Sequence, residues 1–101
     1  MSVLTIIWET EEYEVLAVMS DEGVLAQYIP GDDDASWHCL RFVDRWGNTV
    51  FNQVQLEWLI TDLVRLWDIA QPADRPFIDR LGEFVRAAMG ETHTYIRFIG
   101  D

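Results

Sequence analysis

From Leu56 to Ala70 the apolar residues Leu56, Leu59, Ile60, Leu63, Leu66, Trp67 and Ala70 return every three or four positions, with Glu57, Thr61 and Asp68 on the opposite side. At 100° per residue this spacing lays one broad apolar stripe along a helix. Three signals mark its start. Asn52 is an N-cap residue type, Gln55 stands three positions later in the manner of a capping box, and Phe51 is placed to pack on Leu56 across the first turn. These put a helix over residues 53–69. The break Gln71-Pro72-Ala73 ends it, Asp74 is placed to cap a second helix, and Pro76 falls in the first turn, where a missing N–H is harmless. Phe77, Leu81, Phe84, Val85 and Ala88 form the second stripe and Gly90 stands as the residue just past its end, so a second helix spans 75–89.

The remaining pattern is that of strands. The run VLTIIW at 3–8 is dense in β-branched residues and predicts a strand, with Glu9 to Glu12 as a charged turn after it. Residues 13–19 predict a second strand, although Glu11-Glu12-Tyr13-Glu14 ahead of Leu16 and Ala17 also suits a helix start. Asp21-Glu22-Gly23 reads as a turn, Val24 to Ile29 as a third strand, and Pro30 to Asp34 as a polar loop. Trp37 to Val43 then leads as a strand into the turn Asp44-Arg45-Trp46-Gly47-Asn48, Thr49-Val50-Phe51 returns, and Thr92 to Ile99 closes the chain. Leu40-Arg41-Phe42-Val43 and Ile96-Arg97-Phe98-Ile99 share an apolar-Arg-Phe-apolar core, which predicts two strands with Phe42 and Phe98 on one face and Arg41 and Arg97 on the other. The expected fold class is α+β, an antiparallel sheet of four to six strands with two helices packed on one face.

A length of 101 residues suits one domain, residues 1–101, and an apolar half is enough for a core. No run of apolar residues is long enough to span a bilayer and no charged n-region precedes an apolar h-region, so a cytoplasmic location is expected. One cysteine, Cys39, excludes an internal disulfide framework. The net charge of −11 is unevenly placed: residues 1–40 hold nine acids and no base, whereas residues 41–101 hold nine acids and seven Arg, with no Lys anywhere. An acidic field repels nucleic acid and anionic membrane and speeds encounter with a basic protein. It also serves simply to keep an apolar domain dispersed.

Catalytic chemistry finds little support. His38, Cys39 and His93 are the soft ligands, and they lack the paired spacing of a zinc site. A Cys39 nucleophile with His93 as base has no recognisable context, and His38 and Cys39 would point to opposite faces of a strand. Asp32-Asp33-Asp34 lacks the alternating oxygens, central Gly and terminal Glu of a calcium loop, so at most adventitious Ca²⁺ association is expected there. No Gly-rich loop opens a helix to hold phosphate. We therefore expect no catalytic, metal or cofactor residues and a protein that is not an enzyme.

Surface residues carry the functional reading. On the helical wheel Trp58 falls with Val54, Arg65 and Ile69, away from the stripe, so either the second helix or the N-terminal segment covers it, or a partner does. Trp46 at a turn is the other candidate anchor. Asp32, Asp33 and Asp34 on the loop, and Glu9, Glu11 and Glu12 in the first turn, are the candidate steering carboxylates. The motifs LRFVDRWGNTVFN at 40–52 and YIRFIGD at 95–101 resemble a family of small uncharacterised bacterial proteins in which such a strand-turn leads into a long helix and the chain ends in an aromatic strand. In size, acidity and α+β pattern the chain is also similar to immunity proteins of bacterial toxin systems. Neither likeness transfers catalytic residues. The expected function is a protein-binding module, most concretely an immunity-type inhibitor of a basic toxin or nuclease. The alternative is a structural or regulatory domain that associates with itself through apolar surface.

Overall fold

The computed structural model describes residues 3–100. Four strands, β1 (Thr5–Thr10), β2 (Val15–Ser20), β3 (Asn48–Phe51) and β4 (Thr94–Ile99), form one antiparallel sheet in the order β2-β1-β4-β3. Two helices, α1 (Gln53–Ile69) and α2 (Arg75–Met89), complete an α+β architecture. β1 pairs with β2 through Ile6 opposite Met19, and with β4 through Ile6 opposite Phe98; β3 pairs with β4 through Phe51 opposite Ile96.

The core lies on one side of this sheet. β4 alternates between buried Thr94, Ile96 and Phe98 and half-open Tyr95, Arg97 and Ile99. Ile6, Phe51, Ile96 and Phe98 are buried with Leu56, Leu59, Leu63 and Leu66 of α1 and Phe77, Ile78, Leu81, Val85 and Ala88 of α2. Phe51 and Phe98 meet edge to face at 5.7 Å, an arrangement the ring quadrupoles favour. The opposite face keeps Val15, Val18 and Val50 exposed, so both helices cover the same side.

The capping box appears as the residue types require. Asn52 Oδ1 accepts from the Gln55 N–H at 3.1 Å and Gln55 Oε1 accepts from the Asn52 N–H at 2.8 Å. Asp74 stands at the N-cap position of α2, but no α2 amide reaches its side chain. Its carboxylate instead accepts from the Tyr28 hydroxyl at 2.5 Å, and the same hydroxyl accepts from the Gln71 N–H at 3.1 Å. That first bond raises the Tyr28 hydroxyl above its ordinary pKa.

Several local expectations are corrected. Val24 to Ile29 is not a strand. It holds a 3-10 turn at Leu25–Gln27, because the buried Asp21 carboxylate accepts from the amides of Leu4, Gly23 and Ala26 and draws the chain into a tight loop. Residues 37–43 likewise form no strand. A 3-10 turn covers Leu40–Phe42, because the buried Asp62 of α1 accepts from the amides of His38, Cys39 and Leu40 at 3.0, 2.7 and 2.9 Å. The two apolar-Arg-Phe-apolar stretches therefore differ: Phe98 is a core strand residue, whereas Phe42 is exposed with Arg41 stacked on its ring. Glu9 and Thr10 extend β1 rather than opening the turn, which lies at residues 11–14 with Tyr13 at φ 68°. Gly90 closes α2 at φ −80°, and the left-handed residue before β4 is His93 at φ 59°. Trp67, placed on the core stripe by periodicity, is 37% exposed under the Arg75 guanidinium.

Candidate partner-binding surface

The segment between the first hairpin and β3 is irregular, and two arginines hold it in shape. Arg45 donates from Nε to the Ala26 carbonyl and from Nη2 to the Ile29 carbonyl, both at 3.0 Å. Arg41 donates from Nη1 to the Asp32 carbonyl at 3.2 Å and stacks over Phe42 at 4.3 Å. Each guanidinium satisfies carbonyls that the absence of a regular ladder leaves over. Arg41 Nε is buried without a hydrogen-bond partner.

These contacts shape an open cleft of about 460 Å³ in which Ile29, Pro30, Asp32, Arg41, Phe42 and Trp46 take part. Trp46 is 71% exposed and Phe42 52% exposed. The turn that presents Trp46 is closed by Asp44, whose Oδ1 accepts from the Trp46 N–H at 2.8 Å. Below it the chain end packs tightly, with the Gly100 N–H donating to the Gly47 carbonyl at 2.8 Å. The cleft thus brings together two exposed rings, the carboxylates of Asp32 and Asp44 and the guanidinium groups of Arg41 and Arg45.

Trp46 and Asp32 thus share one cleft. Asp33 is exposed on the same loop. Asp34 accepts from the Ser36 hydroxyl and amide, and these bonds hold its carboxyl below the ordinary range. Trp58 lies elsewhere, on the outward side of α1. Its ring meets His38 of the irregular segment at 4.6 Å and it stays 51% exposed. Next to it Arg65 stacks over the buried Trp37 at 4.2 Å and donates to the Ser36 carbonyl at 2.8 Å.

The first-turn carboxylates divide. Glu11 and Glu12 are exposed, and Glu11 sits 3.4 Å from His93 Nδ1. Glu9 is 1% exposed and leaves the set of solvent-facing carboxylates. Its carboxylate faces Arg97, with Nε 2.9 Å from Oε1 as an ion pair off the hydrogen-bond angle and Nη2 donating to Oε2 at 3.3 Å. Adjacent β1 and β4 positions force that meeting, since Glu9 pairs with Tyr95 and Ile7 with Arg97 on the same face.

Cys39, His38 and His93 are given separate neighbours: the Cys39 thiol donates to the Gln55 carbonyl at 3.5 Å, His38 meets Trp58, and His93 meets Glu11. Among the described residues no group of three or more His, Cys, Asp or Glu side chains is placed to hold a metal ion, and no helix is long and apolar enough to cross a membrane. The residues that sequence periodicity passed over are Arg41, Phe42 and Asp62. The sequence pattern of residues 40–43 is that of a strand, and the one local signal for a buried acceptor is that Asp62 stands at the edge of the apolar stripe of α1 rather than opposite it. Compared with family models, with curated proteins and with solved structures, the chain has no match.

Proposed function

We infer that the protein is a non-enzymatic protein-binding module, an immunity-type inhibitor of a basic toxin or nuclease, and that the cleft around Trp46 and Phe42 is its contact site. The observation that carries this reading is the convergence of two exposed aromatic rings with the Asp32 loop in a chain of net charge −11. Exposed Trp beside Arg and a polar rim is the composition of interaction hot spots. The acidic loop steers a cationic partner, and the rings hold the partner's basic side chain once it has docked.

The test is kinetic and uses a cationic nuclease as the probe partner. Association slows as salt rises from 0.01 M to 0.1 M, because the Debye length shrinks from about 30 Å to about 10 Å, while dissociation changes little. Asn at positions 32, 33 and 34 lowers kon; Trp46→Ala raises koff. A complex indifferent to salt and to all four substitutions sinks the reading.

A second reading, self-association through apolar surface, is favoured by the groove between α1 and α2. It encloses about 230 Å³, and Ile60, Val64, Trp67 and Ile78 line it between Asp68, Asp79 and Arg86. Sedimentation across a hundredfold range of concentration separates the two readings: a mass that doubles supports the second.

A further inference from the structure

The two edges of the sheet are treated differently. Along the four-residue β3, Thr49 Oγ1 accepts from the Asp44 N–H at 2.9 Å and donates to the Phe42 carbonyl at 3.4 Å, so residues 42–44 pack against the Thr49 side chain. Among the described residues nothing comparable is bonded along β2. The Asp21 N–H donates to the Leu4 carbonyl at 2.9 Å. Bonded and non-bonded pairs alternate along an antiparallel ladder, so Ile6/Met19 and Trp8/Ala17 are the bonded pairs that follow. The N–H and C=O groups of Val18 and Ser20 therefore point away from β1. Among the described residues no other backbone group bonds to them.

Edges of this kind recruit further strands unless something blunts them. From Val15 to Ser20 there is no charge, no Pro and no Gly. Val15, Leu16 and Val18 are exposed. One irregularity is present: Leu16 is an extra residue between the pairs Trp8/Ala17 and Glu9/Val15. That bulge leaves Ala17 to Ser20 straight beyond it. Val18 lies opposite Ile7 on the face away from the helices, so an added strand would find apolar side chains beside its own.

The charges at the two ends select the occupant. Exposed Glu11, Glu12 and Glu14 precede β2, exposed Glu22 follows it, and residues 1–40 contain no Lys or Arg. A second copy pairing antiparallel along this edge would set Glu11, Glu12 and Glu14 against the other copy's Glu22, and a parallel copy would set like ends together. Like charges placed opposite each other across strands are destabilising. An extended segment with cations at its ends meets the reverse.

We propose that the outer edge of β2 docks an extended segment of a protein partner, apolar at alternate positions and flanked by Lys or Arg, which joins the sheet as a fifth strand through the free backbone groups of Val18 and Ser20. The backbone bonds hold the segment in register, and the flanking carboxylates set its charge. This site is separate from the Trp46 cleft and does not depend on it.

The experiment is an NMR titration of the intact protein with a synthetic peptide of alternating Val and Thr, carrying two Lys at each end. The expected result is amide shifts centred on residues 15–20, with exchange of the Val18 and Ser20 amides slowed about tenfold or more. The same peptide with Glu in place of Lys binds at least about tenfold more weakly. A version N-methylated on the edge that meets β2 loses binding, and because it leaves the protein untouched it separates backbone pairing from misfolding. The proposal is overturned if the Lys peptide shifts only residues of the Trp46 cleft or none, if the N-methylated peptide binds as well as its parent, or if the edge amides are protected in the free protein because a second copy already covers them.

Discussion

Gly100 lies so close to Arg45 that a Cβ built on it would stand 2.1 Å from the Arg45 carbonyl oxygen and 2.7 Å from the Trp46 nitrogen. The residue that follows β4 is thereby pressed against the turn that presents Trp46, and its N–H closes the contact on the Gly47 carbonyl. The two sequence motifs, one before α1 and one at the chain end, are two sides of a single backbone approach. Only a residue without a side chain fits there.

Replacing Gly100 by Ala forces backbone apart from backbone and is expected to cost roughly 1–3 kcal/mol in urea unfolding. Gly82→Ala provides the contrast: its Cβ would meet only the tip of Arg86, Nη1 at 3.3 Å. A flexible side chain moves aside, and the helix gains about 0.5–1 kcal/mol. Equal stability of the two variants would remove the packing argument.

Asn52→Ala deletes one half of the capping box and is expected to destabilise the protein by about 1 kcal/mol. The Gln55 amide N–H then has no side-chain acceptor in the first turn. A melting curve that does not move on this substitution contradicts the assignment.

Asp62→Ala leaves the amides of His38, Cys39 and Leu40 without their acceptor, and the expected loss is about 3 kcal/mol. The damage should be local before it is global. Because Trp37 is buried just ahead of these amides, its near-ultraviolet circular dichroism is expected to weaken while helical signal persists. Asp62→Asn, which keeps one acceptor oxygen, recovers part of the stability.

Burial, and after it the Asp62 carboxylate, push the Cys39 thiol from 9.0 up to about 11. The folded protein is expected to resist thiol reagents at pH 8 and to react once unfolded. A raised pKa in the folded state means that the thiol stays protonated while the unfolded chain begins to lose its proton. Its contribution to stability is therefore complete below about pH 8.5 and is lost as pH rises toward 11. Unfolding free energy measured across that window should fall less steeply for Cys39→Ala than for the native chain.

Both helices were legible in the chain to the residue, 53–69 and 75–89, because periodicity, capping and Pro placement are relations between residues a few positions apart. The same holds for β1, β2, β3 and β4 as elements, and for the fold class that follows from them. Trp46, Trp58 and the Asp32 loop could be singled out as surface candidates from composition and wheel position alone. What they touch could not. The cleft that joins Trp46 to Asp32 depends on Arg41 and Arg45 reaching carbonyls elsewhere in the irregular segment, and no local pattern encodes those contacts.

Tertiary structure decided the two places where β-favouring sequence became 3-10 turns. Val24 to Ile29 and Leu40 to Val43 have the side chains of strands, yet Asp21 and Asp62 capture the backbone amides that a ladder would have used. A buried carboxylate must be satisfied by several donors, and here the nearest donors are main-chain N–H groups, so a single acid outweighs the weak preference of a short run. Glu9 was decided in the same way: its charge and neighbours suggested a solvent-facing turn, but pairing with β4 set it beside Arg97 and closed it from water. Residue spacing determines where the two helices start and stop, since those choices are settled within one or two turns of chain. Which acids remain in solvent is settled by groups distant in sequence, and only the folded chain brings those together.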